Sequence, residues 1–443
     1  MSARARIVLL LLALSLISAF TTGRDIFFNL SYMLGGLILV SLLWSRVALR
    51  GVEVERAPRT NRAQVGQYFV ERFRVINHSR LPKLWVEARD MSDLPGYRVT
   101  SVTVWLGFRD PTEVGAHRSI TVTIGLPPKH TREWTVRTLC TQRGRFQLGP
   151  LTVGSGDPFG LFPTQFDLPS RQHIVVLPFT APLQSFPLPS GRLSGGEAMR
   201  QRTHQITPNA YTVRDYAPGD SLSRIHWKST ARLRQLMVKE FELDPLAEVW
   251  IILDANRDVQ YKRAPQDEER IVKVGEAYKL PPSTFEYSVA AAASLVRYFL
   301  AIKRSIGLVS YGSIRHVSQP ETGDAQQYRM LEALAVAEAE GEHPLQDVLK
   351  IESPRIPQGS TVILITSSGS EQIVTGVRQL LHAGRQPILV MIEPTSFGAS
   401  RGISGAVDSA RKMGIPVRVV HFGDELGEAL SGPLRLKRYT QAA

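Results

Sequence analysis

Charge disappears from the chain twice near its start. From Ile7 to Gly23 no side chain is charged, and after Arg24 and Asp25 a second uncharged run extends from Ile26 to Ser45. A bilayer core about 30 Å thick needs roughly 20 helical residues. Both runs are apolar all round, whereas a helix at the edge of a soluble core keeps a polar stripe. The pattern predicts a transmembrane hairpin with helices over about 7–23 and 26–45. A cleavable signal peptide is the rival reading for the first run. Arg4 and Arg6 supply its basic start, but Ser18-Ala19-Phe20 is a poor cleavage site and a second apolar run follows at once. The outer flanks are basic: Arg4 and Arg6 before the first run, and Arg46, Arg50, Arg56, Arg59 and Arg62 after the second. Basic flanks stay in the cytoplasm, so the pattern predicts a multi-pass protein of the inner or plasma membrane with its soluble domains cytoplasmic. Ser31 and Gly35 are small residues that let two helices approach, and Trp44 stands where an interfacial aromatic is expected.

After the hairpin the period shortens. Tyr68–Ile76, Leu84–Ala88, Ser119–Ile124 and Trp134–Leu139 alternate or run β-branched, with Gly, Pro, Asn and Asp between them. Short strands with turns at such intervals predict a β-sandwich-like domain over residues 52–190. Trp85, Trp105 and Trp134 read as its core. The glycines of Gly154-Ser-Gly-Asp-Pro-Phe-Gly-Leu-Phe162 miss the spacing of a dinucleotide fingerprint, and Pro158 and Pro163 oppose a helix there, so this segment reads as a structured turn. Pro178–Gly196 reads as a linker or extended strap.

From residue 248 strand-like and helix-like stretches alternate to residue 443. Strands are expected at Glu248–Leu253, Ile306–Ser310, Thr361–Thr366, Pro387–Ile392 and Pro416–Phe422. Helices are expected at Tyr287–Arg304, Asp324–Ala339, Glu371–Ala383 and Ser404–Met413. This order predicts an α/β doubly wound domain, an open and mainly parallel sheet with helices on both faces. Ligands in such sheets bind beyond the carboxyl ends of the strands.

Composition narrows the classes. The chain has 443 residues, 43% of them apolar, which argues against wholesale disorder. Its one cysteine, Cys140, excludes an intramolecular disulfide framework and any multi-cysteine metal site. A net charge of +13 raises the question of nucleic acid. Acidic residues are interspersed with the basic ones, however, and the clustered excess lies beside the membrane, where lysine and arginine meet anionic lipid. No P-loop, H-E-x-x-H or G-x-S-x-G pattern is present, and Ser409-Ala-Arg-Lys412 lacks the companions that give S-x-x-K its meaning.

Residues 191–247 form a block of their own. Within it Tyr211–Leu243 reads YTVRDYAPGDSLSRIHWKSTARLRQLMVKEFEL. Pro218-Gly219 is a turn, and Asp220 or Ser221 is a candidate N-cap. A helix of about three turns would follow, with Arg224, Lys228 and Arg232 on one face and Ile225 and Trp227 on the packed side. Leu236–Phe241 alternates as a strand. Arg214, Tyr216, Gly219, Asp220, Arg224, Ile225, Trp227, Lys228, Ala231, Arg232, Val238 and Lys239 together resemble the hallmark of the bacterial family called domain of unknown function 58. The apolar helix pair, Arg143-Gly144 and Asp157-Pro-Phe-Gly-Leu-Phe162 resemble the family's other marks. His226 departs from the aspartate that many members carry there.

The resemblance implies a von Willebrand factor A-like C-terminal domain, protein partners including a MoxR-type AAA+ ATPase, and a divalent ion held after the first strand. Here the corresponding residues are Asp254, Asn256 and Asp258, with Thr322 as a loop ligand. Mg²⁺ takes hard oxygen ligands of this kind, but Thr366-Ser367-Ser368 stands where a carboxylate is expected, which makes the site degenerate. The sequence therefore favours a membrane-anchored, non-enzymatic adaptor or assembly factor, with Arg214, Asp220, Arg224 and Arg232 as an ion-pair lattice or docking surface. The alternatives are a phosphoester hydrolase-like enzyme at the membrane surface using Asp220, His226 and Lys228, or a binder of anionic lipid or nucleic acid.

Overall fold

The computed structural model describes residues 2–58, 60–95, 98–100, 118–168, 172–186, 188, 212–215, 225–240, 248–263 and 278–431. The chain divides into two compact units, the first formed mainly by Met1–Phe179 and the second by most of the chain from Thr180 onward.

The first unit opens with α1 (Ala3–Thr22) and α2 (Asp25–Ala48), both longer than their uncharged runs because the ends are capped. The Ser2 hydroxyl accepts from the Ala5 N–H at 3.1 Å, so α1 begins before its arginines. At the far end of α2 the nearly buried Lys83 ammonium donates to the Val47 carbonyl at 2.8 Å, satisfying one of the carbonyls a helix end leaves open. The helices meet at Ser15 and Ser31, whose hydroxyls stand 2.8 Å apart. Gly35, expected at that contact, has nothing within 4 Å of the place a Cβ would occupy, so Ser31 alone of the two makes the approach. Side chains such as Ile7, Leu10, Ile17, Phe20, Ile26, Met33 and Leu43 remain exposed around the pair. The two helices are long and apolar enough to cross a membrane.

Two sheets follow. One contains β1 (Val52–Pro58), β3 (Tyr68–Asn77), β7 (Thr131–Leu139) and β5 (Arg98–Thr100) in the order β1-β3-β7-β5. The other contains β2 (Arg62–Gln64), β10 (Gln172–Leu177), β8 (Gly144–Ser155), β4 (Lys83–Ser92) and β6 (Arg118–Leu126), ordered β2-β10-β8-β4-β6, with β9 (Thr164–Leu168) on β8. Val54, Phe73, Val75, Trp134 and Val136 from the first sheet meet Val86, Ala88, Leu126, Leu151 and Val153 from the second in one buried cluster, as a sandwich requires. Trp134 belongs to that core and stacks on its cross-strand partner Phe73 at 5.5 Å. Trp85 is half-buried, and Trp105 lies outside the described residues.

The second unit begins with Thr180–Phe186, a segment without helix or strand; most of the rest of the expected Pro178–Gly196 linker or strap lies outside the described residues. The Ala181 N–H donates to Ser294 Oγ at 2.9 Å and Phe186 packs edge-on against Phe299. The main sheet contains β13 (Val249–Leu253), β14 (Ile306–Tyr311), β15 (Arg315–Glu321), β16 (Thr361–Thr366), β17 (Gln386–Ile392) and β18 (Val417–Val420), in the order β15-β14-β13-β16-β17-β18. Every pairing is parallel except that of the edge strand β15. Helices α6 (Leu345–Glu352), α7 (Glu371–His382) and α8 (Ser404–Lys412) share a buried cluster with Trp250, Ile252, Val309, Leu364 and Met391. Helix α4 (Thr284–Ala301) lies along β13, β14, β16 and β17 and is absent from that cluster, so it covers the opposite face. Helices α5 (Asp324–Val336) and α9 (Leu426–Leu430) complete the unit. The sequence pattern overlooks β15 and α6.

Within the sandwich, Arg56 Nη2 meets Glu71 Oε1 at 2.6 Å with side-chain exposures of 4% and 0%. Glu71→Ala leaves that guanidinium buried without its carboxylate and is expected to destabilise the unit by about 3 kcal/mol. Glu55→Ala, which breaks a surface pair with Arg74 at 3.2 Å, is expected to change stability little. Thermal unfolding of the full chain in detergent micelles compares the two.

Candidate functional site

The signature block contributes a two-stranded antiparallel ribbon, β11 (Thr212–Asp215) with β12 (Met237–Glu240), and the short helix α3 (Trp227–Leu233) between them. In the ribbon Arg214 stands opposite Val238, and Lys239 opposite Val213. The His226 N–H donates to the Met237 carbonyl at 2.8 Å, which extends the ribbon pairing up to the helix. The His226 ring then caps α3: its Nδ1 accepts from the Ser229 N–H at 3.2 Å and lies 2.7 Å from Ser229 Oγ. Because residue 226 is held by the ribbon, α3 starts at Trp227 and spans two turns rather than three, and its cap is His226 rather than Asp220 or Ser221. Arg234 in the left-handed region, φ 55°, ends it.

Ile225 and Met237 are buried beneath this helix. Trp227 is not: it is 67% exposed, which corrects its expected place on the packed side. Lys228 and Arg232 are exposed with it. Tyr216, Gly219, Asp220 and Arg224 lie outside the described residues, as does any convergence of Asp220 with His226 and Lys228. His226 Nδ1 is occupied in capping, which accounts for the residue by local structure.

A second constellation sits at the carboxyl end of the parallel sheet. The register pairs Leu253 with Ile365, and the Asp254 N–H donates to the Ile365 carbonyl at 2.9 Å, so the chain leaves β13 and β16 side by side. Asp254 is 3% exposed. Its Oδ2 accepts from Thr366 Oγ1 at 2.6 Å and its Oδ1 from the Asn256 N–H at 3.1 Å. Burial pushes the Asp254 carboxyl up to about 6, against the opposing pull of the Thr366 and Asn256 donors. Gln260 Nε2 donates to the Asp254 carbonyl at 3.0 Å, while its Oε1 accepts from Thr284 Oγ1 at 2.7 Å. The Ser367 hydroxyl donates to the Val259 carbonyl. Gly341 pairs with Asn256 here, and a Cβ on it would stand 2.1 Å from the Tyr311 carbonyl oxygen, so only glycine fits.

The expected metal ligands are dispersed. Asn256 turns its Oδ1 onto the Asp258 N–H at 2.8 Å, capping a one-turn 3₁₀ segment. The Asp258 side chain is 80% exposed beside Arg257. Thr322 is a correction: β15 runs antiparallel, Glu321 pairs with Ile306 and Ile306 with Val249, so Thr322 follows β15 at the opposite end of the sheet from Asp254. Among the described residues, one buried carboxylate with both oxygens in hydrogen bonds, and no second carboxylate beside it, does not form the hard-oxygen shell that Mg²⁺ demands. Sequence reasoning missed Gln260, Thr284, Thr366 and Ser367 as partners of this loop. The signal was the Thr-Ser-Ser run after β16, where hydroxyl donors replace an expected acid.

The shifted carboxyl has a consequence for stability. Unfolded, Asp254 titrates near its ordinary 3.8, and folded near 6. Between these values the native state holds a proton that the unfolded state lacks, so stability falls as pH rises from about 4 to about 6, by about 3 kcal/mol. Asp254→Asn is expected to remove that slope. Urea unfolding of the full chain in detergent between pH 4 and pH 7 tests this, and an unchanged slope refutes it.

Residues 212–367 match the family model described as "Protein of unknown function DUF58". The chain is similar to the uncharacterized protein YeaD of Bacillus subtilis (strain 168), 23% identical over 285 residues, which make up 63% of this chain and 64% of that protein. The match thus spans just under two thirds of that relative's length. Among solved structures, a CARDB domain from Pyrococcus furiosus is 15% identical and overlaps 28% of this chain and 91% of its own, with a TM-score of 0.18. A GH20 exo-β-N-acetylglucosaminidase from Vibrio harveyi is 9% identical and overlaps 83% of this chain and 81% of its own, with a TM-score of 0.21. Neither overlap is close enough to carry an argument. The matched span holds both the ribbon with α3 and the Asp254–Thr366 pair, and over residues 212–367 the chain is similar to the DUF58 family, proteins of unknown function.

Proposed function

We propose that the protein is a membrane-anchored adaptor or assembly factor that binds partner proteins and is not an enzyme. The observation that carries the reading is α3, where Trp227, 67% exposed, stands with Lys228 and Arg232 on a helix fixed by the His226 cap. Tryptophan and arginine are the residues that most often dominate protein–protein contacts, and two cations beside the indole suit an acidic partner surface. The Asp254 constellation supports the same reading, because its polar groups are spent on one another rather than aimed at a reacting atom.

Three finer statements belong to this proposal. The hairpin crosses the membrane twice, with both outer ends and the two units in the cytoplasm, as the arginine flanks favour. The C-terminal unit is von Willebrand factor A-like, a reading supported by five parallel strands with one antiparallel edge strand and helices on both faces. It works without a resident Mg²⁺, and the partner is a MoxR-type AAA+ ATPase.

Two measurements test this. A cysteine replacing Arg24, in the loop between α1 and α2, is expected to react with a membrane-impermeant maleimide in intact cells, and protection there would reverse the orientation. The full chain, solubilised from native membranes, is expected to retain a MoxR-type ATPase. Trp227→Ala, or Lys228→Glu with Arg232→Glu, is expected to lower its recovery about tenfold, equivalent to about 1.4 kcal/mol. Absence of the ATPase, or retention unaffected by both variants, would refute the docking role of α3.

A further inference from the structure

We propose that the turn Asp157–Phe162 is a membrane-interface foot, built against the hairpin and inserting Phe159 at the boundary between lipid headgroups and acyl chains. The inference rests on the reading that α1 and α2 cross the bilayer.

The turn is constructed around one carboxylate. Asp157 is wholly buried; its Oδ2 accepts from the Phe159 N–H at 3.0 Å and its Oδ1 from the Phe162 N–H at 2.6 Å. The Gly160 N–H closes the turn onto the Asp157 carbonyl at 3.1 Å. Burial pushes the Asp157 carboxyl up, but the N–H groups of Phe162, Leu161 and Phe159 outweigh it and hold the group below its ordinary range. The turn is therefore held rigidly by its own backbone. It is also tied to α1, since Ser2, the cap of that helix, donates its hydroxyl to the Leu161 carbonyl at 2.8 Å.

These ties fix its height. The Ser15–Ser31 contact sets the antiparallel stagger of the helices and places Ser41 opposite the first turns of α1. The first charges of the hairpin, Arg4 and Arg6, lie at that level, where the hydrocarbon must end. A Cβ on Gly160 would stand 3.2 Å from Arg4 Nη1, so the turn lies directly beneath the first of these cations. At this place the chain presents Pro158 and Phe159 outward, and Phe159 is 51% exposed. A rigid turn that tucks its acid inward, stands beside an arginine and turns a phenyl ring outward matches an anionic interface, which takes apolar rings below and cations at the headgroups. Continuity with the hairpin favours lipid over a second protein as the occupant.

The test places a nitroxide label on Phe159→Cys in the full chain, reconstituted in vesicles of phosphatidylethanolamine and phosphatidylglycerol. Cys140 is buried and stays unlabelled. Leu10→Cys reports the hairpin, and Thr60→Cys, beyond the far end of β1, reports water. Accessibility to oxygen and to a water-soluble nickel chelate gives depth. The expected result is an oxygen-to-nickel ratio at residue 159 several-fold above that at residue 60 and below that at residue 10. A water-like ratio at 159 with a deep label at 10 overturns the foot and leaves the hairpin standing. Exclusion of both reagents at 159 would indicate a covering protein and also overturns the foot. A water-like ratio at residue 10 overturns the hairpin and the foot together. Pro158→Cys, read by the same criteria, replaces Phe159→Cys if that variant does not fold.

Discussion

The parallel pairing of β13 with strands on both sides governs the second unit. Val249–Leu253 is buried at every position, between β14 and β16, and each of its backbone groups must find a partner within the sheet. That demand fixes the register, and the register fixes chemistry. Since Leu253 is opposite Ile365, the residues that follow them, Asp254 and Thr366, must emerge together at one end. A one-residue slip would turn Trp250 and Ile252 away from the α6, α7 and α8 layer and break the Asp254–Thr366 contact at the same time. The site is a by-product of sheet register, and for this reason it combines residues 112 positions apart.

What was legible in the sequence follows the strength of its periodicity. The uncharged runs gave the hairpin, and the β-branched runs of β13, β16 and β17 gave the buried strands to within a residue or two. β15 was not legible because Arg315–Glu321 is a polar edge strand, half-exposed along its length, whose only strand partner among the described residues is β14. α6 was not legible because eight residues hold too few turns to show a period. The helix ends were set by groups far away in the chain: Lys83 reaches the end of α2, and no local pattern announces it. Trp227 was misjudged for a related reason. A tryptophan next to a buried isoleucine reads as core, but the His226 cap rotates α3 so that the indole faces out.

The buried acids show how differently one residue type is used. Glu71 is held by the Arg56 guanidinium. Glu352, 1% exposed, accepts from Tyr311, Arg315 and Arg355, and although burial pushes it up, those donors leave its carboxyl below the ordinary range. Asp157 is held by backbone N–H groups. In each case strong or charge-assisted donors offset desolvation. Asp254 is surrounded by a hydroxyl and a single backbone N–H, and there desolvation prevails.

This difference separates acids held by strong donors from one that is not. A carboxyl that burial raises toward neutrality costs the fold stability at pH 7, a cost that a neutral asparagine, with its single acceptor oxygen, does not carry. This one lies at the carboxyl ends of two parallel strands, beside the loop that follows β16. The hydroxyl of Thr366 marks the same point. It donates to Asp254 and also accepts from the Ser368 N–H at 3.0 Å, so a change at the carboxyl is passed directly to the loop that leads into α7. Residue 254 therefore couples a titratable group, through one hydroxyl, to the loop that leads into α7.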